Sequence, residues 1–306
     1  MRFTDKDQPI IGIAWMVLCG LFFVVQNGIV RYLGDDLPSI QSAFIRFVWG
    51  VVLLAHVLPK LRAKLPRSAL APLALRGAFH AVAVVLWFYA MARIPLAQVT
   101  AIGYLNPVMM LVIAALLLGE GLAMRRIIAI GVALVGALIV LRPGIQTITD
   151  GHVAQIGAAL GFCGSYLMAK RLSAQLDASV IVAMMSPVVA IILAPFAAAV
   201  WQPVSQVQIL WLGAVAVMAT GGHYSMTRAF AAAPLAVTQP VTFLQLVWAS
   251  LMGATLFGEP VDGYVLLGGG LIIGAISWLT WREHGREHGR EHGREHGSEQ
   301  GQAKKG

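Results

Sequence analysis

The chain has 306 residues, 58% of them hydrophobic and only 12% charged, with a mean hydropathy of +0.76. A soluble domain carries about 25% charged residues, so there is too little polar surface here to cover a globule in water. The net charge of +8 sits in short breaks between apolar runs and in a C-terminal tail. The positive-inside rule accounts for it there, and nucleic acid is not expected as a partner.

The apolar runs are about 20 residues long, enough to cross ~30 Å of hydrocarbon. In chain order they predict ten spans, at 10–32, 38–59, 70–92, 95–118, 126–141, 153–172, 178–200, 207–229, 235–257 and 262–281. The linkers are short, so neighbouring helices are expected to form antiparallel hairpins. The first run ends at Tyr32 without a small-residue cleavage site and is expected to stay as a span. Cys19 and Cys163 lie within apolar runs and offer neither a disulfide framework nor metal spacing.

Orientation follows from Lys and Arg. With the N-terminus inside, the inner segments hold twelve of them before the tail is added, including Lys60, Arg62, Lys64 and Arg67, and the outer segments hold only Arg31, Arg93 and Arg142. Both termini are therefore expected in the cytoplasm.

Residues 95–120 read PLAQVTAIGYLNPVMMLVIAALLLGE, and residues 234–259 read PLAVTQPVTFLQLVWASLMGATLFGE. The offset is 139 residues without a gap, and nine of the 26 positions are identical, with Pro-Leu-Ala at one end and Gly-Glu at the other. Pro and Gly mark helix boundaries, so these matches carry more weight than shared Leu or Ala. The same offset pairs Gly12 with Gly151, Phe23 with Phe162, Arg31 with Lys170 and Gly131 with Gly270. The chain reads as two copies of one unit, 1–140 and 141–281. Each copy has five spans, an odd number, so the second must enter the membrane inverted. The expected fold class is an all-α polytopic membrane protein built of two inverted five-helix repeats. Such folds usually hold a substrate site near the midplane and alternate access by rocking one half on the other.

Polar groups in hydrocarbon are costly and face a cavity or another helix. Span one carries Gln26 and Asn27; span two, Arg46; span three, His80, Trp87 and Tyr89; span four, Gln98, Thr100, Tyr104, Asn106 and Pro107. Span six carries Ser165 and Tyr166; span eight, His223 and Tyr224; span nine, Pro240, Gln245 and Trp248. Spans five and ten are almost wholly aliphatic and Gly. The candidate cavity residues are therefore His80, Trp87, Tyr89, Tyr104, Asn106, Tyr166, His223, Tyr224, Gln245, Trp248, Arg46 and Gln26. Arg46 is read either as a clamp for a substrate carboxylate or as a side chain that snorkels or bonds helix-end carbonyls. Pro107 and Pro240 interrupt spans four and nine and are hinge candidates, with a static kink as the bland reading. Gly157/Gly161 and Gly270/Gly274 have the spacing of close helix contacts.

The tail, 282–306, repeats Arg-Glu-His-Gly and is expected to be a disordered cytoplasmic segment. Its histidines recur every four residues, but the Gly in each repeat opposes the helix that would align them on a metal. No metal and no cofactor is expected, and no catalytic constellation is found. No deep carboxylate marks a proton relay, and no Gly-rich Lys motif marks ATP drive.

Ten spans in two repeats, Phe44-Ile-Arg46-Phe47 in span two, and the paired Pro-Leu-Ala…Gly-Glu stretches together resemble the drug/metabolite transporter superfamily, EamA type, over about residues 10–280. Within it the chain looks most like bacterial inner-membrane exporters of amino acids, the aromatic type included. The resemblance implies a central cavity lined by spans one, three, four, six, eight and nine. It implies a secondary transporter that exports neutral or aromatic amino acids or similar small metabolites from the bacterial inner membrane. Sugars, vitamins, nucleotide sugars and drugs are the alternatives, and an intramembrane enzyme is not favoured.

Overall fold

The computed structural model describes residues 8–55, 65–106, 108–109, 112–113, 124–172, 175–176, 178–233, 235–238 and 240–282. Among these the secondary structure is helical, with no strand beyond one isolated bridge between Pro143 and Gln146. The first half holds α1 (Pro9–Leu33), α2 (Ser39–Leu54), α3 (Leu70–Arg93), α4 (Leu96–Gly103) and α5 (Met124–Leu141). The second holds α6 (Asp150–Leu172), α7 (Ala178–Ala183), α8 (Met185–Ala199), α9 (Gln206–Ala232), α10 (Leu235–Thr238), α11 (Phe243–Phe257) and α12 (Gly263–Arg282).

Six helical segments are long and apolar enough to cross a membrane: Pro9–Leu33, Arg67–Arg93, Val180–Ala199, Gln206–Phe230, Pro240–Phe257 and Gly263–Arg282. Ser39–Leu54 and Ile127–Leu141 are shorter apolar helices. α6 has 23 residues, long enough by its ~1.5 Å rise per residue, but buried His152, Gln155 and Ser165 make it less apolar. Of the expected fourth span, only the parts named above are described. The tail 283–306, Pro107, Glu120 and residues 60–64 lie outside the described residues.

Helix boundaries follow local chemistry. Pro9 opens α1, where its missing N–H costs nothing. Ser205 caps α9 in a capping box: its Oγ accepts from Gln208 N–H at 3.2 Å, while Gln208 Oε1 accepts from Ser205 N–H at 3.0 Å. Gly258 ends α11 in the left-handed region at φ 65°, where only glycine is unstrained.

Span seven, expected as a continuous helix, is broken, and span nine is interrupted at Pro240, where the sequence places a hinge or static kink. Span seven turns at Met184. Pro187, in the first turn of α8, lacks the N–H that would bond the Ala183 carbonyl, and Arg76 reaches in to donate to Ile181 O at 2.6 Å. Span nine passes from α10 through a 3-10 turn, Pro240–Thr242, into α11.

α3 packs most extensively on α6 and α1 on α9, while α2 lies on α8 and α4 on α11. Glycine permits the closest approaches. A Cβ on Gly161 would lie 2.9 Å from Ala83, and one on Gly157 3.0 Å from Leu86, so this pair seats α6 on α3 as its spacing predicted. Gly270 and Gly274 do not play that part. A Cβ at Gly274 would meet nothing within 4 Å, and α12 meets α5 instead where Gly136 and Gly268 cross, each against the other's backbone.

One end of the bundle is tied by polar contacts. Glu259 pairs with Arg31 at 2.9 Å and accepts Leu96 N–H at 2.9 Å. Arg93 pairs with Asp35 at 3.2 Å, and Arg142 pairs with Asp262. Buried Gln41 exchanges two hydrogen bonds with the Gln202 backbone, at 2.8 and 2.9 Å.

Candidate substrate cavity

Side chains from both halves converge on a cavity of about 260 Å³. α1 contributes Phe23, Gln26 and Asn27, which share one face through i, i+3, i+4 spacing. α3 contributes His80, Val84 and Trp87, again one stripe. α6 contributes Gln155, Ala159, Phe162 and Tyr166 at helical spacing. Arg46 enters from α2, His223 from α9 and Gln245 from α11. Val99, Thr100 and Gly103 come from α4, with Tyr104 and Asn106 just beyond it. α5 and α12 contribute nothing to this lining, in keeping with their aliphatic sequences.

The walls are aromatic and amide. The His80 ring is set edge-on between Phe47, 5.8 Å away, and Phe162, 5.1 Å away, and its Nδ1 lies 3.4 Å from Ser165 Oγ. On the opposite side His223 meets Phe23 edge-on at 5.3 Å. Asn106 donates to Ala159 O at 3.1 Å and Gln155 donates to Val99 O at 3.1 Å, so amides pin the start of span four to α6. Tyr104 OH donates to Thr242 O at 2.8 Å, which ties the residue after α4 to the break in span nine.

No Asp or Glu lines the cavity among the described residues. Arg46 stacks its guanidinium 4.2 Å from the Phe47 ring centroid, and its Nε is buried without a hydrogen-bond partner. The amide oxygens of Gln26 and Gln155 are likewise buried and unpartnered. Such groups are costly in a low-dielectric interior unless something polar meets them.

Of the twelve side chains that sequence singled out, nine line this cavity: Gln26, Arg46, His80, Trp87, Tyr104, Asn106, Tyr166, His223 and Gln245. Three do not. Tyr89 lies at the end of α3 with its ring 3.7 Å from the Arg93 guanidinium. Tyr224 is 58% exposed and packs edge-on against Trp15 at 5.9 Å. Trp248 fills the space over Gly20, where a Cβ would lie 3.0 Å from its ring. Pro240 is exposed in the 3-10 turn of span nine. Sequence reading passed over Gln155, although it shares the stripe of Ala159, Phe162 and Tyr166, and that spacing was the available signal.

The chain matches the EamA-like transporter family model twice, over residues 10–142 and 150–281. It is therefore a member of the EamA-like transporter family, a multi-pass membrane protein of the drug/metabolite transporter superfamily. Among curated proteins it is similar to a riboflavin transporter of Vibrio cholerae, 27% identical over 285 residues, covering 90% of this chain and 94% of that one. It is similar to a pseudopaline exporter of Pseudomonas aeruginosa, 25% identical, covering 90% and 97%. An S-adenosylmethionine uptake transporter of Rickettsia bellii is 24% identical over 89% and 94%. A solved crystal structure shares the fold, with a TM-score of 0.57 at 16% identity, covering 90% of this chain and 98% of that one.

Proposed function

We propose that this chain is a secondary transporter of the bacterial inner membrane that exports neutral or aromatic amino acids, or metabolites of similar size, by alternating access between two halves of inverted topology. The observation that carries this reading is the composition of the cavity wall. Phe23 and Phe162, Asn27 and Tyr166, Val84 and His223, and Asn106 and Gln245 are each 139 residues apart, and all eight line the cavity.

The packing supports the same relation. Exchanging each span for its repeat mate turns the α1–α9 contact into the α6–α3 contact, and these are the two most extensive in the bundle. The aromatic pairs His80–Phe162 and His223–Phe23 repeat the motif to within one helical turn. A site on a pseudo-two-fold axis presents similar walls to both sides of the membrane, so the two access states differ by little energy.

Aromatic walls with amides and one arginine suit a zwitterion carrying an apolar side chain. Relatives named for riboflavin, pseudopaline and S-adenosylmethionine keep vitamins and larger metabolites as the second reading. The test is a counterflow screen of purified protein in proteoliposomes against amino acids, sugars, vitamins including riboflavin, and dyes. Accumulation of neutral amino acids supports the reading. Accumulation of none of the panel would remove it.

A further inference from the structure

Resting on the transporter reading, we infer that the cavity recognises both ends of an α-amino acid, with Arg46 holding the carboxylate and the amide oxygens of Gln155 and Gln26 holding the ammonium. Arg46 is a donor only, always charged, and suited to a planar carboxylate. Its Nε is buried without a partner, and no acid among the described residues lines the cavity. Phe47 covers one face of the guanidinium, which leaves its edge for an incoming acceptor.

The acceptor end stands on a separate observation. Gln155 lines the cavity, is 3% exposed and donates its amide N–H to Val99 O, which fixes its orientation, while its Oε1 is buried without a partner. Gln26 is 8% exposed and its Oε1 is also unpartnered. With no carboxylate among the described lining residues, neutral amide oxygens and the aromatic side chains Trp87 and Tyr104 are groups a substrate ammonium can meet. The cavity therefore has a positive pole on α2 and an acceptor pole on α6 and α1. A simple amine, or a simple acid, satisfies only one of them.

The experiment uses full-length protein in proteoliposomes and matched triplets: tryptophan with tryptamine and indole-3-propionate, and phenylalanine with phenethylamine and 3-phenylpropionate. Each amino acid should be taken up at least about tenfold better than either truncated analogue, since one charge-assisted hydrogen bond is lost. Arg46→Gln should abolish the preference for amino acid over amine and keep that over acid. Gln155→Leu should do the reverse. Arg46→Lys, which keeps the charge, should retain part of the first preference, and thermal unfolding of each variant checks that it is folded. Uniform loss across each triplet, or no discrimination by the unaltered protein, overturns the inference. Transport of riboflavin or a sugar with no triplet accepted sinks the inference and leaves the transporter reading standing. No transport of any compound takes both away.

Discussion

Glu259, one residue past the left-handed glycine that ends α11, meets Arg31 at the end of α1 at 2.9 Å while its second oxygen accepts Leu96 N–H at 2.9 Å. Arg31 in turn donates to Met91 O at 3.1 Å. The carboxylate and its arginine together fasten the ends of four spans. Its side chain is 9% exposed and that of Arg31 21%, so solvent screens this pair less than a surface bridge. Glu259→Ala removes the countercharge of Arg31 and leaves the Leu96 N–H unpartnered, and should cost about 2–3 kcal/mol. Glu259→Gln keeps an acceptor for Leu96 and should cost less. Thermal unfolding in detergent checks the order, and equal midpoints for the two variants would contradict it.

Gly136 and Gly268 let α5 and α12 touch backbone to backbone. A Cβ on Gly136 would stand 2.6 Å from Gly268 O and 2.8 Å from Ile272. Gly136→Val should therefore destabilise the protein by about 1–3 kcal/mol through overpacking. Gly274→Val, at a position with open space, should leave the unfolding midpoint unchanged, and a drop at Gly274 equal to that at Gly136 would move the helix contact elsewhere.

His80 and Trp87 share the cavity face of α3, whereas Tyr224 is outside the lining. Replacing His80 or Trp87 by Ala should lower flux in proteoliposomes by about tenfold, the loss of roughly 1.4 kcal/mol of substrate interaction. Tyr224→Phe should leave flux as it is. Flux that survives both α3 changes across the substrate panel would take those residues out of the site.

Orientation is open to direct labelling. Cys19 and Cys163 are buried and give a low background. A cysteine at exposed Ser68, beside the basic stretch 60–67, should react only from the cytoplasmic side, and one at exposed Asp36 only from outside. Reaction of the Ser68 position from outside would reverse the topology.

Much of the cavity was legible because hydrocarbon taxes polar side chains. His80, Asn106, His223 and Gln245 stand out in runs of Ala, Leu and Val, and each faces the cavity. Tyr89, Tyr224 and Trp248 were less legible because aromatics are amphipathic and a helix tolerates them on several faces. Tyr89 found an arginine, Tyr224 a tryptophan and Trp248 a glycine gap. Gln155 was missed for the opposite reason: near the polar start of its helix a glutamine carries no surprise.

By itself the sequence determined a membrane protein of apolar helices, its membership of a duplicated transporter family, and which spans carry the polar groups, because span length, repeat spacing and the cost of a buried dipole are all properties of the chain read in order. Tertiary structure decided which face of each helix turns inward, where span seven breaks, and that Gly268 rather than Gly274 meets α5. Those outcomes depend on which neighbour offers a hydrogen bond or a gap, and no stretch of sequence contains its neighbour.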